Sequence, residues 1–289
     1  MTPPLSAKYY ADSACYEHVR VVDQVRIARD TYRVRVHAPR IARRIVPGQF
    51  VMLRLTDCND PLLGRPLALY DTVLDEHGEP VGLDIVYIVL GKMTSRLAAL
   101  AAGAPLEMWG PLGNGFEPRE CAHLLLAAGG IGQTPFLALA QEVFGKRRYG
   151  DPPRHRKRIP RVTLCYGVRT AELLAGVADF EALGVEVRIS SDDGTAGHHG
   201  LVTDLIGDVL RESTGCHTIC CGPEPMMAAT AALCREAGES CDVSLETPMA
   251  CGVGICFSCV AKIRQEDGHW DYKRTCVDGP VFDAESILW

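Results

Sequence analysis

Four cysteines near the C-terminus constrain this chain more than any other feature of its sequence. Three of them, Cys251, Cys256 and Cys259, have the spacing C-x4-C-x2-C, and Cys276 follows after sixteen intervening residues. This spacing is typical of plant-type ferredoxins, in which four thiolates hold a 2Fe-2S cluster. The pattern therefore predicts a 2Fe-2S site on these four side chains.

A zinc site is the alternative interpretation of the same cysteines. Zinc knuckles also use four thiolates, but they arrange them as two C-x2-4-C pairs, and the first and last gaps here do not fit. Gly252 and Gly254 favour the cluster, because they allow positive φ and let backbone N–H groups point toward sulfur. The chain has thirteen cysteines, and we expect the other nine to be small buried side chains rather than disulfides.

Length and composition indicate a globular protein with two domains and a small third one. The chain has 289 residues, of which 47% are hydrophobic and 23% are charged. A net charge of -6 gives no reason to expect a nucleic-acid partner. No apolar run reaches the roughly 18 residues that a membrane helix needs. The N-terminus shows no secretory signal, so we expect a cytoplasmic protein without a membrane anchor.

The first predicted domain, residues 17–117, is β-rich. Short apolar or alternating runs separated by Pro and Gly are typical of a β barrel. The expected strands are 19–26, 32–37, 50–55, 83–90 and 106–109. One helix is expected at 96–102, with Thr94 or Ser95 as its N-cap and Gly103 at its end.

The second predicted domain, residues 118–240, alternates strands with helices, as a parallel α/β sheet does. Strands are expected at 124–128, 162–166, 185–190 and 218–221, and helices at 135–144, 171–183, 202–211 and 224–237. The basic, proline-containing segment 146–161 is expected to be a solvated insertion loop. Residues 241–289 are too few for an independent core, so a metal centre would have to stabilise this third domain.

A glycine-rich turn in the second domain is a candidate phosphate site. Gly129, Gly130 and Gly132 follow an apolar strand and precede Pro135, which suits a first helical turn. Such a turn lets a pyrophosphate approach the free N–H groups of a helix start. The turn does not match G-x-G-x-x-G, and an ordinary strand-to-helix turn is the alternative.

Two further strand ends lie at the same predicted edge of the sheet, where open α/β folds bind ligands. Cys221 and Gly222 end one strand, although Gly-Pro punctuation alone also explains them. Asp193 ends another. Its carboxylate would accept hydrogen bonds from ribose hydroxyls and repel a 2'-phosphate, which favours NADH over NADPH. An Asx turn is the equal alternative for Asp193.

Two short motifs in the β-rich domain together suit a diphosphate and a flat ring. The first combines a cation, a fixed backbone and an aromatic ring, and the second places hydroxyls and N–H groups at a helix start. Either motif alone is an exposed arginine or an ordinary N-cap. The residues concerned are Arg65, Pro66, Leu67 and Tyr70 in the first motif and Gly91, Thr94 and Ser95 in the second.

Taken in chain order, these motifs resemble the ferredoxin–NADP reductase superfamily. From about residue 17 to the C-terminus, the chain is similar to the electron-transfer subunits of type B dihydroorotate dehydrogenases. The resemblance is carried by Arg65-Pro-Leu, Gly91-Lys-Met-Thr, residues 110–116, Gly129-Gly-Ile-Gly, Tyr166-Gly-Val-Arg, Asp193-Gly-Thr, Cys221-Gly-Pro, residues 245–259 and residues 276–282.

The resemblance implies FAD in the barrel, NADH in the α/β domain and electron transfer through the cluster to an FMN-containing catalytic subunit, in a heterotetramer. It assigns Arg65, Pro66, Leu67, Tyr70, Gly91, Thr94 and Ser95 to FAD and Gly129, Gly130, Gly132, Asp193, Cys221 and Gly222 to the nicotinamide nucleotide. No catalytic acid, base or nucleophile is expected, because the cofactors supply the chemistry. Ala68 stands where the family usually has Ser or Thr near the flavin, and Met93 replaces a usual Gly.

Two other functions remain open at this point. One is a related reductase subunit with another partner, such as a ferredoxin:NADP transhydrogenase or a sulfide- or hydrogen-linked complex. The other is a nucleotide-binding regulator with a zinc site and no redox turnover. The four cluster cysteines and the ending Asp278-Gly-Pro-Val-Phe favour the dihydroorotate-linked subunit.

Overall fold

A computed structural model describes residues 11–56 and 59–289 of the chain. The N-terminal stretch on which the expectation about a secretory signal rests lies outside the described residues. None of the described helices is long and apolar enough to cross a membrane. The strands are β1 Cys15–Ala28, β2 Thr31–His37, β3 Phe50–Leu55, β4 Arg65–Ala68, β5 Asp71–Leu74, β6 Pro80–Ile88, β7 Pro105–Leu112, β8 His123–Gly129, β9 Arg161–Val168, β10 Glu186–Ser191, β11 His198–His199, β12 Cys216–Cys221, β13 Ser240–Ser244, β14 Val260–Arg264, β15 Trp270–Arg274 and β16 Val281–Asp283. The α-helices are α1 Pro39–Arg44, α2 Lys92–Ala98, α3 Phe136–Val143, α4 Val177–Leu183, α5 Val202–Glu212 and α6 Glu224–Ala237.

The first seven strands form one barrel-like antiparallel sheet in the order β4-β3-β7-β1-β2-β6-β5. Alternate residues of β1 and β2 face a common apolar core, which includes Val19, Val21, Val34 and Val36. The predicted barrel is thus confirmed. Helix α2 begins at Lys92, so Thr94 and Ser95 lie inside its first turn rather than at its N-cap.

The second sheet has the order β11-β10-β9-β8-β12-β13-β16. All neighbours are parallel except β16, which pairs antiparallel with β13. Its central strands are buried on both faces, which explains their continuous apolar character. The predicted α/β sheet is confirmed, although the expected helix at 171–183 is interrupted at Gly176, where φ is +72°.

The end of the chain returns to this second sheet. Strand β13 continues it beyond residue 240, and β16 adds a further strand from the last nine residues. Ser244 and Val281 are directly paired across β13 and β16. The cysteine-containing segment 245–280 therefore leaves the sheet and comes back to it at neighbouring positions, and the bounds 241–289 of a third domain stay a prediction.

Contacts between the barrel and the α/β domain involve the basic segment 146–161. Arg147 Nη1 lies 2.7 Å from Asp71 Oδ1, and the hydroxyl of Tyr149 donates to the same oxygen at 2.8 Å. Arg154 pairs with the buried Glu142 at 2.7 Å. Tyr149 is only 2% exposed. The prediction of a solvated loop is therefore wrong for this part of the segment, which joins the two domains.

Candidate functional site

A cavity of about 890 Å³ lies where the barrel, the edge of the α/β sheet and the cysteine segment meet. This volume is typical of sites for nucleotide-sized ligands. Three regions of the chain contribute to its wall. The lining includes Arg65, Pro66, Leu67, Ala68, Gly91, Met93 and Thr94 from the barrel, Ile131, Thr134, Pro135 and Cys221 from the sheet edge, and Glu246, Thr247, Met249 and Ser258 from the cysteine segment.

The barrel wall brings together most residues predicted for the flavin. Strand β4 pairs with β3, which places Arg65 opposite Leu53 and Ala68 opposite Phe50. Thr94 braces the neighbouring turn, because its hydroxyl accepts a hydrogen bond from the Gly91 N–H at 3.2 Å. The wall therefore combines one cation and exposed backbone, which suit a diphosphate, with apolar surface, which suits a flavin ring.

Two residues predicted for the flavin lie elsewhere. Tyr70 is 2% exposed and its hydroxyl donates to Asp179 Oδ2 at 2.5 Å, so it joins the barrel to α4 and does not line the cavity. Desolvation raises the pKa of Tyr70, which keeps its hydroxyl protonated. Ser95 is exposed on α2 and also does not line the cavity.

The glycine-rich turn meets the end of β12. A Cβ at Gly132 would lie 2.2 Å from the carbonyl oxygen of Cys221, so only glycine fits there. A Cβ at Gly129 would lie 2.6 Å from Met226 Sδ. Gly130 has φ of +56° and faces open space. The turn and the Cys221-Gly222 strand end are thus in direct contact, as expected for one nucleotide-binding edge.

Asp193 lies at the end of β10, farther along the same edge. Its Oδ1 accepts hydrogen bonds from the backbone N–H and the hydroxyl of Thr195, at 3.0 and 2.5 Å. These bonds lower the pKa of Asp193. The structure contains the Asx turn considered above, and a ribose-binding role for Asp193 stays a prediction.

Two of the four cysteines are in direct contact. The sulfur atoms of Cys259 and Cys276 are 3.2 Å apart, whereas Cys251 accepts a hydrogen bond from the Val253 N–H at 3.4 Å and the Cys256 sulfur lies 3.2 Å from the Ser258 hydroxyl. Within residues 11–56 and 59–289, no three His, Cys, Asp or Glu side chains are arranged to hold a single metal ion. A 2Fe-2S cluster distributes four thiolates over two irons, whereas a zinc site gathers them around one ion, so the arrangement suits the cluster better.

Local hydrogen bonds favour the thiolate form of one ligand in particular. The side chain and backbone of Ser258 lower the pKa of Cys256 to about 6. Contact between Cys259 and Cys276 lowers the pKa of Cys259 but raises the pKa of Cys276 well above its ordinary value, so this pair keeps a proton that ligation must displace. Cys256 is therefore prepared to bind iron near neutral pH.

Three residues of this site were not predicted from the sequence. Trp109 of β7 donates its Nε1–H to the carbonyl oxygen of Cys251 at 2.9 Å and so attaches the cysteine loop to the barrel. Glu246 lines the cavity, and desolvation raises its pKa. Arg274 donates to the Gly254 carbonyl at 2.9 Å. The sequence features that could have indicated two of them are the position of Trp109 before Gly-Pro and the position of Arg274 two residues before Cys276.

Cys256 is the exposed member of the four cysteines. Its neighbours Ile255 and Phe257 are 75% and 53% exposed, although both are large apolar residues. Phe257 also has a positive φ of 57°, which is rare for a residue with a bulky side chain. The loop thus presents one cysteine and two apolar side chains at the surface.

Family models match all three parts of the chain. An oxidoreductase FAD-binding domain matches residues 18–116, an oxidoreductase NAD-binding domain matches residues 126–232, and the iron–sulfur cluster binding domain of dihydroorotate dehydrogenase B matches residues 246–288. Together with the fold and the junction cavity, these matches define the chain as an NAD-linked flavin and iron–sulfur oxidoreductase subunit. The predicted cofactors FAD, NAD and a 2Fe-2S cluster are confirmed at the level of these domains, and the zinc interpretation is not supported.

Full-length relatives define the family more narrowly. The chain is 36% identical to the dihydroorotate dehydrogenase B (NAD(+)) electron transfer subunit of Desulforamulus reducens, over 91% of this chain and 94% of that protein. It is 35% identical to the corresponding subunit of Caldanaerobacter subterraneus subsp. tengcongensis, over 93% and 97%. The chain belongs to the family of dihydroorotate dehydrogenase B electron transfer subunits, as its motifs predicted.

Solved structures agree with this fold. The structure of an NADH-dependent reduced ferredoxin-NADP oxidoreductase has a TM-score of 0.78 and 29% identity, and the match covers 93% of this chain and 89% of that one. The Amycolatopsis cytochrome P450 reductase GcoB has a TM-score of 0.61 at 24% identity, over 78% of this chain and 66% of that one. The second similarity concerns the fold alone.

Proposed function

We propose that this chain transfers electrons between NADH and an FMN-containing dihydroorotate dehydrogenase subunit, through FAD and a 2Fe-2S cluster, within a heterotetramer. The observation that carries the proposal is the single cavity shared by the flavin-type barrel wall, the nucleotide-binding edge and the cysteine segment. The family relatives are named electron transfer subunits of dihydroorotate dehydrogenase B (NAD(+)), which supports the proposal.

FAD, when bound, converts two-electron hydride chemistry into one-electron transfer. Residues of the chain would position the groups that react. Arg65, Pro66, Leu67, Gly91 and Thr94 line the cavity and would hold the flavin. Cys221 also lines it, and the adjoining turn of Gly129, Gly130, Gly132 and Gly222, which is not part of the cavity wall, would hold the nicotinamide nucleotide beside it. Burial raises the pKa of Cys221 well above its ordinary value, so its thiol stays neutral beside the cavity.

The apolar core between the barrel and the cysteine loop supports the next step of the path. Phe50 lines the cavity and also packs in the cluster of buried residues that contains Cys259 and Cys276. A Cβ at Gly252 would lie 2.6 Å from Met52, so the loop lies directly against the barrel. This close packing leaves little room for movement between the barrel and the cysteine loop.

The exposed end of the path fits a protein partner. One cluster-binding cysteine is exposed here between two exposed apolar side chains, which is typical of a docking site. The residues are Cys256, Ile255 and Phe257. In this proposal, oxidation of dihydroorotate takes place on the partner subunit, and this chain links that reaction to NAD.

The decisive experiment is reconstitution with the partner. The chain is expected to co-purify with an FMN-containing dihydroorotate dehydrogenase subunit, and the complex is expected to reduce NAD⁺ with dihydroorotate as the donor. The catalytic subunit alone serves as the control and should not reduce NAD⁺. A complex that holds FAD and iron but is inactive with dihydroorotate would contradict the proposal.

The second candidate is a reductase subunit of a ferredoxin-linked NADP enzyme. It is favoured by the similarity to the NADH-dependent reduced ferredoxin-NADP oxidoreductase over 93% of the chain. Reduction of NAD⁺ by the purified holoprotein with reduced ferredoxin, but not with dihydroorotate and the partner, would support this candidate instead.

A further inference from the structure

Arg274 is a buried cation behind the cysteine loop. It is the last residue of β15, and only 8% of it is exposed, whereas Lys262 and Arg264 on the same hairpin are exposed. Burial of a charged side chain is unfavourable unless hydrogen bonds or opposite charges compensate for it. The position of Arg274 therefore needs an explanation in terms of what it contacts.

The guanidinium group contacts both halves of the cysteine loop. Nη1 donates to the carbonyl oxygen of Gly254 at 2.9 Å, and Gly254 lies between Cys251 and Cys256. The group also lies over the ring of Phe257, 5.2 Å from its centroid, and Phe257 lies between Cys256 and Cys259. One side chain thus links the C-x4-C part of the loop to the C-x2-C part.

The strand that carries Arg274 also leads to the fourth ligand. Cys276 follows two residues later, and the intervening Thr275 donates its backbone N–H to the Cys259 carbonyl at 2.7 Å. Displacement of Arg274 would therefore affect the loop and the approach of Cys276 together. Arg274 thus connects the C-x4-C part of the loop, the C-x2-C part and the strand that leads to Cys276.

The positive charge of Arg274 is only partly compensated. Asp278 Oδ2 accepts a hydrogen bond from the backbone N–H of Arg274 at 2.8 Å, but lies 3.5 Å from its Nε. Charge-assisted hydrogen bonds between arginine and carboxylate are normally about 2.7 to 2.9 Å long. The carboxylate is thus mainly bound to the backbone, and the guanidinium keeps positive charge on the side that faces the cysteine loop.

We propose that Arg274 positions the cysteine loop and raises the reduction potential of the 2Fe-2S cluster. A cluster held by four thiolates is an anion, and it gains one more negative charge when it accepts an electron. A fixed cation beside it stabilises the reduced state more than the oxidised state, and charge and hydrogen bonding near a cluster are known determinants of its potential. The inference rests on the cluster of the proposed function, but not on dihydroorotate or on the partner.

The test measures the midpoint potential and the EPR spectrum of the reduced cluster in the purified holoprotein, together with iron per chain. Arg274→Gln is expected to lower the potential, to change the EPR spectrum and to lower the iron content. Arg274→Lys keeps the charge, and its potential is expected to lie nearer to that of the wild type. Lys273→Gln removes one positive charge from the opposite face of the same strand and is expected to leave the potential and the spectrum unchanged.

Asp278→Asn provides the test of opposite sign. It removes the partial counter-charge but retains an acceptor for the Arg274 N–H, so it is expected to raise the potential. This variant remains informative if Arg274→Gln fails to hold the cluster. The proposal is overturned if Asp278→Asn leaves the potential unchanged or lowers it, or if Arg274→Gln and Lys273→Gln give the same potential. Failure of the dihydroorotate reaction would not alter any of these measurements.

Discussion

Glu246 supplies the one carboxylate among the described residues that line the junction cavity. Its side chain makes no hydrogen bond or ion pair within the described residues and is exposed to solvent on one side, while the surrounding cavity wall partly desolvates it and raises its pKa. Because water still reaches the carboxylate, the effect on stability is expected to be small. A carboxyl group whose pKa is higher in the folded state binds its proton more tightly there than in the unfolded chain. Such a group lowers the stability of the folded protein as the pH rises from its unfolded pKa through its folded pKa.

We therefore expect Glu246→Gln to stabilise the flavin-free protein near neutral pH. The gain should disappear below about pH 3.5, where the glutamic acid is largely protonated in the unfolded chain as well as in the folded protein. Thermal unfolding from about pH 3 to about pH 8 measures this difference. Glu266→Gln, at an exposed turn, is the control and should show no such trend. A stabilisation by Glu246→Gln that does not change with pH would contradict the argument.

At the scale of single elements, the glycine-rich turn depends on close contact with β12. The 2.2 Å distance from a Cβ at Gly132 to the Cys221 carbonyl involves backbone, which cannot move aside like the end of a long side chain. The turn can approach β12 this closely only because Gly132 has no side chain.

Gly132→Ala is expected to destabilise the protein by about 1 to 3 kcal/mol, as overpacking of a buried site does, and to weaken NADH binding. Gly207→Ala is the matched control, because its Cβ would meet only the flexible end of Arg211, and alanine is favourable inside helix α5. Chemical denaturation and titration with NADH measure the two effects. Equal stability of the two variants would show that the contact is not tight.

The longer elements of the α/β domain were predictable, but several short ones were not, and the helix expected at 96–102 lies at Lys92–Ala98. The unpredicted elements besides β16 are α1, β5, β11, β13, β14 and β15. Helix α6 matches the expected range 224–237, because its periodicity is bounded by Pro223 and Gly238, and Gly238 ends the helix with a left-handed conformation. Strand β16 was not predicted, because three residues carry no periodicity and only pairing with β13 defines them. Arg274 was missed for a related reason: its role depends on contacts across the cysteine loop, which spacing alone does not reveal.

At the scale of the whole molecule, residues predicted from a local motif can serve the joint between domains instead. Tyr70 follows the Arg65-Pro-Leu motif, but it lies in the short connection between β4 and β5, and its hydroxyl donates to Asp179 of α4. Asp71, the first residue of β5, receives Arg147, Tyr149 and Gln141 from the second domain. These two adjacent residues thus join the barrel to the α/β domain.

Tyr70→Phe is accordingly expected to retain the full flavin content while it loosens the joint. Loss of one hydrogen bond should cost about 1 kcal/mol and increase hydrogen exchange in α4 and around Asp71. The flavin-to-protein absorbance ratio and exchange rates measure these outcomes. Leu67→Ala, in the cavity wall, is the contrasting variant and should lose flavin. If Tyr70→Phe loses flavin while its hydrogen-exchange rates stay those of the wild type, Tyr70 belongs to the flavin site and not to the joint between the domains.

Ser244 pairs directly with Val281, so the cysteine segment 245–280 begins and ends on neighbouring strands of the second sheet. The residues that follow β16 contact this segment again, because Ile287 forms a β-bridge with Ile263 and the Leu288 N–H donates to the Lys262 carbonyl at 3.1 Å. The end of the chain is thus held by the sheet and by the hairpin of the cysteine segment together. Loss of structure at the cysteine segment is therefore expected to loosen the last residues of the chain as well.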